Sequence, residues 1–135
     1  MSEKPKKPLA GRRLVNEVVA AAQEKLAEEI AVLNLRRASA DADYFIVCQG
    51  ETTVQNSAIA EAIADRCAGK NTRPWHTEGE DEGRWILIDF TDVVVHILLP
   101  DLRAFYSLES LWSDAKRIDL GEKSESRNPK SETRS

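Results

Sequence analysis

The stretch RWILIDFTDVVVHILLP, Arg84 to Pro100, decides the architecture of this chain. Two runs rich in branched and aromatic residues, 84–90 and 93–99, flank Thr91-Asp92, the pattern of a β-hairpin with a two-residue turn. That turn sets Phe90 opposite Val93, Asp89 opposite Val94, Leu87 opposite His96 and Trp85 opposite Leu98. Side chains alternate along a strand, so Ile86, Ile88, Phe90, Val93, Val95, Ile97 and Leu99 form one face with no polar group. That face is the core side. The other face carries Trp85, Leu87, Asp89, Val94, His96 and Leu98. A large aromatic, an imidazole and a carboxylate among Leu and Val make a composition closer to an interface than to a solvated sheet.

Working outward, Leu14, Val15, Val18, Val19, Ala22 and Leu26 recur at three- and four-residue steps and predict a helix over about 12–29. Ile30–Leu35 and Tyr44–Gln49 read as strands. Thr52 and Gln55 have capping-box spacing before an apolar face of Val54, Ala58, Ile59, Ala62 and Ile63, and Gly69 is placed to end this second helix, about 53–68. Arg73–His76 is a short strand leading into the acidic loop Glu80-Asp81-Glu82. After Pro100, the apolar residues Leu102, Phe105, Tyr106, Leu108, Leu111 and Trp112 mark a helical end. The expectation is a single α/β domain over residues 12–118, a mixed β-sheet of about five strands flanked by helices. A flexible basic arm, 1–11, precedes it, and a polar tail, 119–135, is too poor in hydrophobes to pack.

Charge is unevenly distributed. Of 19 basic and 23 acidic residues, residues 1–13 hold five basic and one acidic, and residues 119–135 hold four of each. Ten basic and eighteen acidic residues remain for the body, a net charge of −8. Nucleic-acid binding draws on Lys and Arg facing phosphates, so this body is unsuited to a broad nucleic-acid surface, and a basic protein is its natural partner. No run approaches the ~18 apolar residues of a membrane span, and the N-terminal stretch has no apolar secretory core, so a soluble, cytoplasmic protein is expected. Cys48 and Cys67 fall in apolar patterns and are expected to be reduced.

Three separated blocks occur in order: ADYFIVCQGETTVQNSAIAEAI, EGEDEGRWILIDFTDVVVHILLP and RAFYSLESLW. Together they resemble the ribosomal silencing factor family, also called the Iojap family, over roughly residues 12–115. Thr91 stands where that family often has Gly, and GETT replaces the commoner Gly-Thr-Ser-Ser. The resemblance implies a topology related to nucleotidyltransferases. It also implies docking on the large ribosomal subunit at large-subunit ribosomal protein fourteen, which sterically blocks joining of the small subunit and represses translation under nutrient limitation. Under that reading the mixed hairpin face is the docking surface. Trp85, His96, Leu98 and Tyr106 form its apolar centre, and Glu78 and Asp92 its acidic rim. The same face is available for pairing two free copies as a homodimer.

Chemical readings of these residues are weaker. His76, Glu78, Asp89 and His96 are metal-ligand types, but no close Cys/His spacing joins them. Cys48 with His96 would need a proximity that nothing in the sequence indicates. A nucleotidyltransferase needs a Gly-Ser loop for the triphosphate and carboxylates on adjacent strands for two metal ions. No Gly-Ser dipeptide exists here, and Asp89 and Asp92 lie three apart across a turn. The expectation is a binding protein with no catalytic residues, metal or cofactor. A nucleotidyltransferase-related enzyme and a structural module of a ribosome-assembly complex are the alternatives.

Overall fold

The structure, a computed structural model, describes residues 7–36, 42–106 and 116–117, with the side chains of 104–106 and 116–117 outside that description. The hairpin forms as its pattern predicts: β4 (Trp85–Asp89) and β5 (Val93–Leu98) pair with Trp85 on Leu98, Leu87 on His96 and Asp89 on Val94. The turn departs from glycine chemistry, because Thr91 adopts φ 82, a conformation that costs a branched residue about 1 kcal/mol or more. Asp89 holds it there, its Oδ1 accepting the Thr91 N–H at 2.7 Å.

Strand β5 pairs in parallel with β2 (Tyr44–Gln49), and β2 pairs antiparallel with β1 (Glu28–Asn34). Strand β3 (His76–Glu78) lies beyond β4, and a two-residue β6 (Lys116–Arg117) pairs with β1, giving the order β3-β4-β5-β2-β1-β6. The sheet is mixed, as expected. Its sixth strand is too short to leave a period-two signal.

Helices α1 (Gly11–Glu24) and α2 (Thr53–Ala68) cover one face. Leu14, Val15, Val18 and Ala22 of α1, with Ile59, Ile63 and Cys67 of α2, pack against Val32, Ile46, Cys48, Ile86, Ile88, Val95 and Ile97, all buried. The hairpin's apolar side is therefore the core side. Across the top of the helices, Arg66 binds Glu17 at 2.7 Å and Glu24 at 2.9 Å, and that hydrogen bond to Arg66 lowers the pKa of Glu17.

Helix ends differ from the sequence expectation. Helix α1 stops at Glu24, five residues short of 29, because Leu26 takes φ 61 and the Ala27 N–H reaches back to the Ala22 carbonyl. That five-residue step back turns the chain into β1 and leaves Leu26, expected on the apolar face, 75% exposed. Helix α2 closes the same way, with Asn71 rather than Gly69 in the left-handed position, at φ 59. Its buried face is Asn56, Ile59, Ala60, Ile63 and Cys67, so Val54 is 77% exposed.

The expected Thr52 cap at the start of α2 is in place, whereas Gln55 Oε1 accepts the Glu51 N–H at 2.8 Å rather than that of Thr52. Thr52 Oγ1 accepts the Gln55 N–H at 3.0 Å, and Gln55 Nε2 donates to the carbonyls of Lys25 and Leu26, tying the start of α2 to the end of α1. Packing also extends to residues before 12. Leu9 is buried in the core with its N–H on Thr72 Oγ1 at 2.6 Å, and Gly11 opens α1. Residues 1–6 and the tail 119–135 lie outside the described residues.

Candidate functional site

The second face of the sheet is built in rows by strand register. One row runs Glu78, Leu87, His96, Val47, Ala31, and the next runs His76, Asp89, Val94, Phe45, Leu33. Trp85, Leu98 and Gln49 form a third. Val47 and Leu98 are fully buried, with Trp85 and Leu102 packed against them, Leu102 coming from α3 (Pro100–Tyr106). Arg103 anchors that helix end through Nη1 to the Glu29 carbonyl and, at 3.4 Å, to Gln49 Oε1.

At the centre of the face stands an aromatic group. Trp85 Nε1 donates to His96 Nδ1 at 3.1 Å, and the two rings lie 6.0 Å apart at 54°. Phe45, brought from β2 by the parallel pairing, tilts against the other side of the imidazole at 5.0 Å and 40°. Burial, with His96 9% exposed, pushes its pKa down to about 4, so the ring is neutral near pH 7. Because Nδ1 accepts, the proton of the neutral ring sits on Nε2. That buried Nε2 finds no hydrogen-bond partner among the described residues.

The hairpin's three chemistry-bearing residues thus have separate tasks. Asp89 caps the Thr91 turn. Asp92 turns toward the helical layer, where its Oδ2 accepts the Gly11 N–H at 2.8 Å, a negative charge placed at the first turn of α1. Its carbonyl also takes the N–H groups of Asp43 and Tyr44. His96 holds Trp85.

Of the residues expected at the docking surface, Trp85, His96 and Leu98 come together. Leu98 lies beneath the surface, fully buried and packed against Trp85. Glu78 is exposed on the same face at the edge strand, bonded through Oε2 to His76 Nε2 at 2.7 Å. Asp92 is drawn away to the α1 terminus. The side chain of Tyr106 lies outside the described residues, although its backbone closes α3.

Two aromatic residues were absent from the sequence reading of the site. Phe45 reaches His96 only through the β2–β5 pairing, which no local pattern announces. Trp75, 75% exposed beside His76 at the β3 edge, had a usable signal: an aromatic between Pro74 and His76 in a short edge segment.

Catalytic arrangements find little support in the geometry. Cys48 and His96 sit on opposite faces of the sheet, since Cys48 pairs with Ile97 and points into the helical core. Burial raises the Cys48 thiol to about 12 and the Cys67 thiol to about 11, far from thiolate formation at neutral pH. Among the described residues, no three His, Cys, Asp or Glu side chains gather as a metal site, and no helix is long and apolar enough to cross a membrane.

The model of the family described as ribosomal silencing factor during starvation matches residues 8–135. The ribosomal silencing factor of Bacillus subtilis is 44% identical over 101 residues, covering 75% of this chain and 86% of that protein. Its counterpart from Halalkalibacterium halodurans is 37% identical over 112 residues, covering 83% of this chain and 96% of that one. A crystal structure of a Bacillus halodurans protein superposes with a TM-score of 0.73 at 34% identity, over 82% of this chain and 100% of its own. With these matches, and with the hairpin register and the capped second helix where the first two sequence blocks put them, the chain belongs to the ribosomal silencing factor family.

Proposed function

We propose that this protein silences translation by occupancy. It docks on the large ribosomal subunit at large-subunit ribosomal protein fourteen and fills space that the small subunit needs, with no bond made or broken. The observation that carries this reading is the outer sheet face. A half-buried Trp85 stands there on a fully buried platform of Val47 and Leu98, with exposed Glu78 nearby, in a body of net charge −8. An apolar aromatic centre with acidic residues around it suits a basic protein surface.

The protein acts as a binder rather than an enzyme: His96 is committed to Trp85, Asp89 to its turn and Asp92 to α1. Neither thiol is ionised at neutral pH. Such a protein works in the cytoplasm, where free copies could pair through the same face.

Sedimentation with purified ribosomal particles tests the reading. The protein should travel with isolated large subunits and not with small subunits or stable joined ribosomes, and adding it before mixing should reduce subunit joining. Equal binding to all three particles would reject silencing by steric exclusion.

A further inference from the structure

We infer that His96 is a positioning residue for docking: its Nδ1 fixes the Trp85 indole in the orientation that meets the partner. The inference rests on the docking reading above and goes beyond it by assigning the two residues different tasks.

Three observations support the assignment. Trp85 and His96 lie diagonally across the β4–β5 pair, one paired with Leu98 and the other with Leu87, and the indole N–H lies 3.1 Å from Nδ1. His96 is 9% exposed and flanked by Phe45 and Trp85, so its own ring offers a partner almost no surface, whereas Trp85 is half-buried. Finally, histidine is a costly residue for this site. Burial disfavours its charged form, and the Nε2–H that the Trp85 bond requires has no partner among the described residues.

A phenylalanine of similar shape would fill the same space with no buried donor, so packing alone does not explain an imidazole here. What only the imidazole supplies is the acceptor. An indole already held in its bound orientation loses less side-chain freedom on docking, which tightens binding without adding a contact.

Variants of the full chain, tested against isolated large ribosomal subunits by sedimentation, separate these tasks. His96→Phe should weaken binding about fivefold while the melting temperature holds or rises. His96→Asn places an amide oxygen where Nδ1 sits and should recover most of that loss. Trp85→Phe removes the donor but keeps a ring, and adding His96→Phe to it should cost nothing further, since the bond is already gone. In solution NMR, the Trp85 indole N–H resonance, identified by its absence in Trp85→Phe, should move in His96→Phe and stay near its native position in His96→Asn.

Independent, additive losses from Trp85→Phe and His96→Phe would mean that His96 touches the partner itself, and would overturn the positioning role. Normal binding by His96→Phe alongside lost binding by Trp85→Ala would also overturn it, while leaving the docking reading standing. Normal binding by all the variants, Trp85→Ala included, would instead remove the docking reading.

Discussion

The two faces of one sheet are made from the same strands and obey opposite rules. On the helical side Ile86, Ile88, Phe90, Val93, Val95 and Ile97 are all apolar and buried, Asp92 and Thr72 are spent on the backbone of the α1 entrance, and the buried Asn56 of α2 donates to the Gly83 carbonyl. On the other side, buried Val47 and Leu98 carry a tryptophan, a histidine whose Nε2 has no partner among the described residues and, at the edge, an exposed carboxylate. The first face is what folding alone would select. The second sets a half-buried tryptophan on a buried imidazole, an aromatic surface of the composition that suits a partner.

The largest expected effect lies on the first face. Phe90→Ala should cost about 3 to 5 kcal/mol of stability, visible as a lower urea midpoint, because Phe90 is packed in the helical core. A loss below about 1 kcal/mol would blur the distinction between the faces.

Acid gives the next test. His96 has a folded pKa of about 4 against an ordinary 6.5. Between those values the unfolded chain binds a proton that the folded protein refuses, so its contribution is complete above pH 6.5 and is lost as pH falls toward 4. The loss amounts to about 3 kcal/mol. Urea midpoints of wild type and His96→Phe should therefore diverge across that window, with the wild type falling faster. Parallel curves would mean that His96 ionises freely and is not held neutral.

A smaller effect is expected at the hairpin tip. Thr91→Gly should stabilise the protein by up to about 1 kcal/mol, since glycine accepts φ 82 without steric cost. Destabilisation of that size would show that the Thr91 side chain contributes more than its backbone strain takes away.

How much of this was legible follows from the range of each signal. The hairpin register and its core side were readable because a two-residue turn fixes pairing locally and alternation does the rest. Thr52 and Gln55 announced the start of α2 for the same reason. The end of α1 was hidden, because its reversal uses Leu26 where glycine is the usual signal. The site was half visible. Trp85 and His96 could be placed on one face, but the depth of Leu98 depends on Leu102 of α3, and the Phe45 contact on a parallel pairing. Asp92 looked like a rim charge since nothing in its neighbourhood reveals that Gly11, 81 residues away, would claim it.

The most direct test of the central claim is a pair of readings on one variant, Trp85→Ala: affinity for isolated large subunits and melting temperature. An aromatic anchor at an interface centre commonly contributes about 2 to 4 kcal/mol, or roughly 30- to 1,000-fold in affinity. Trp85→Ala is predicted to weaken binding at least tenfold while the melting temperature drops only a few degrees. Unchanged binding, or collapse of the fold with it, would contradict the assignment of this face to a partner.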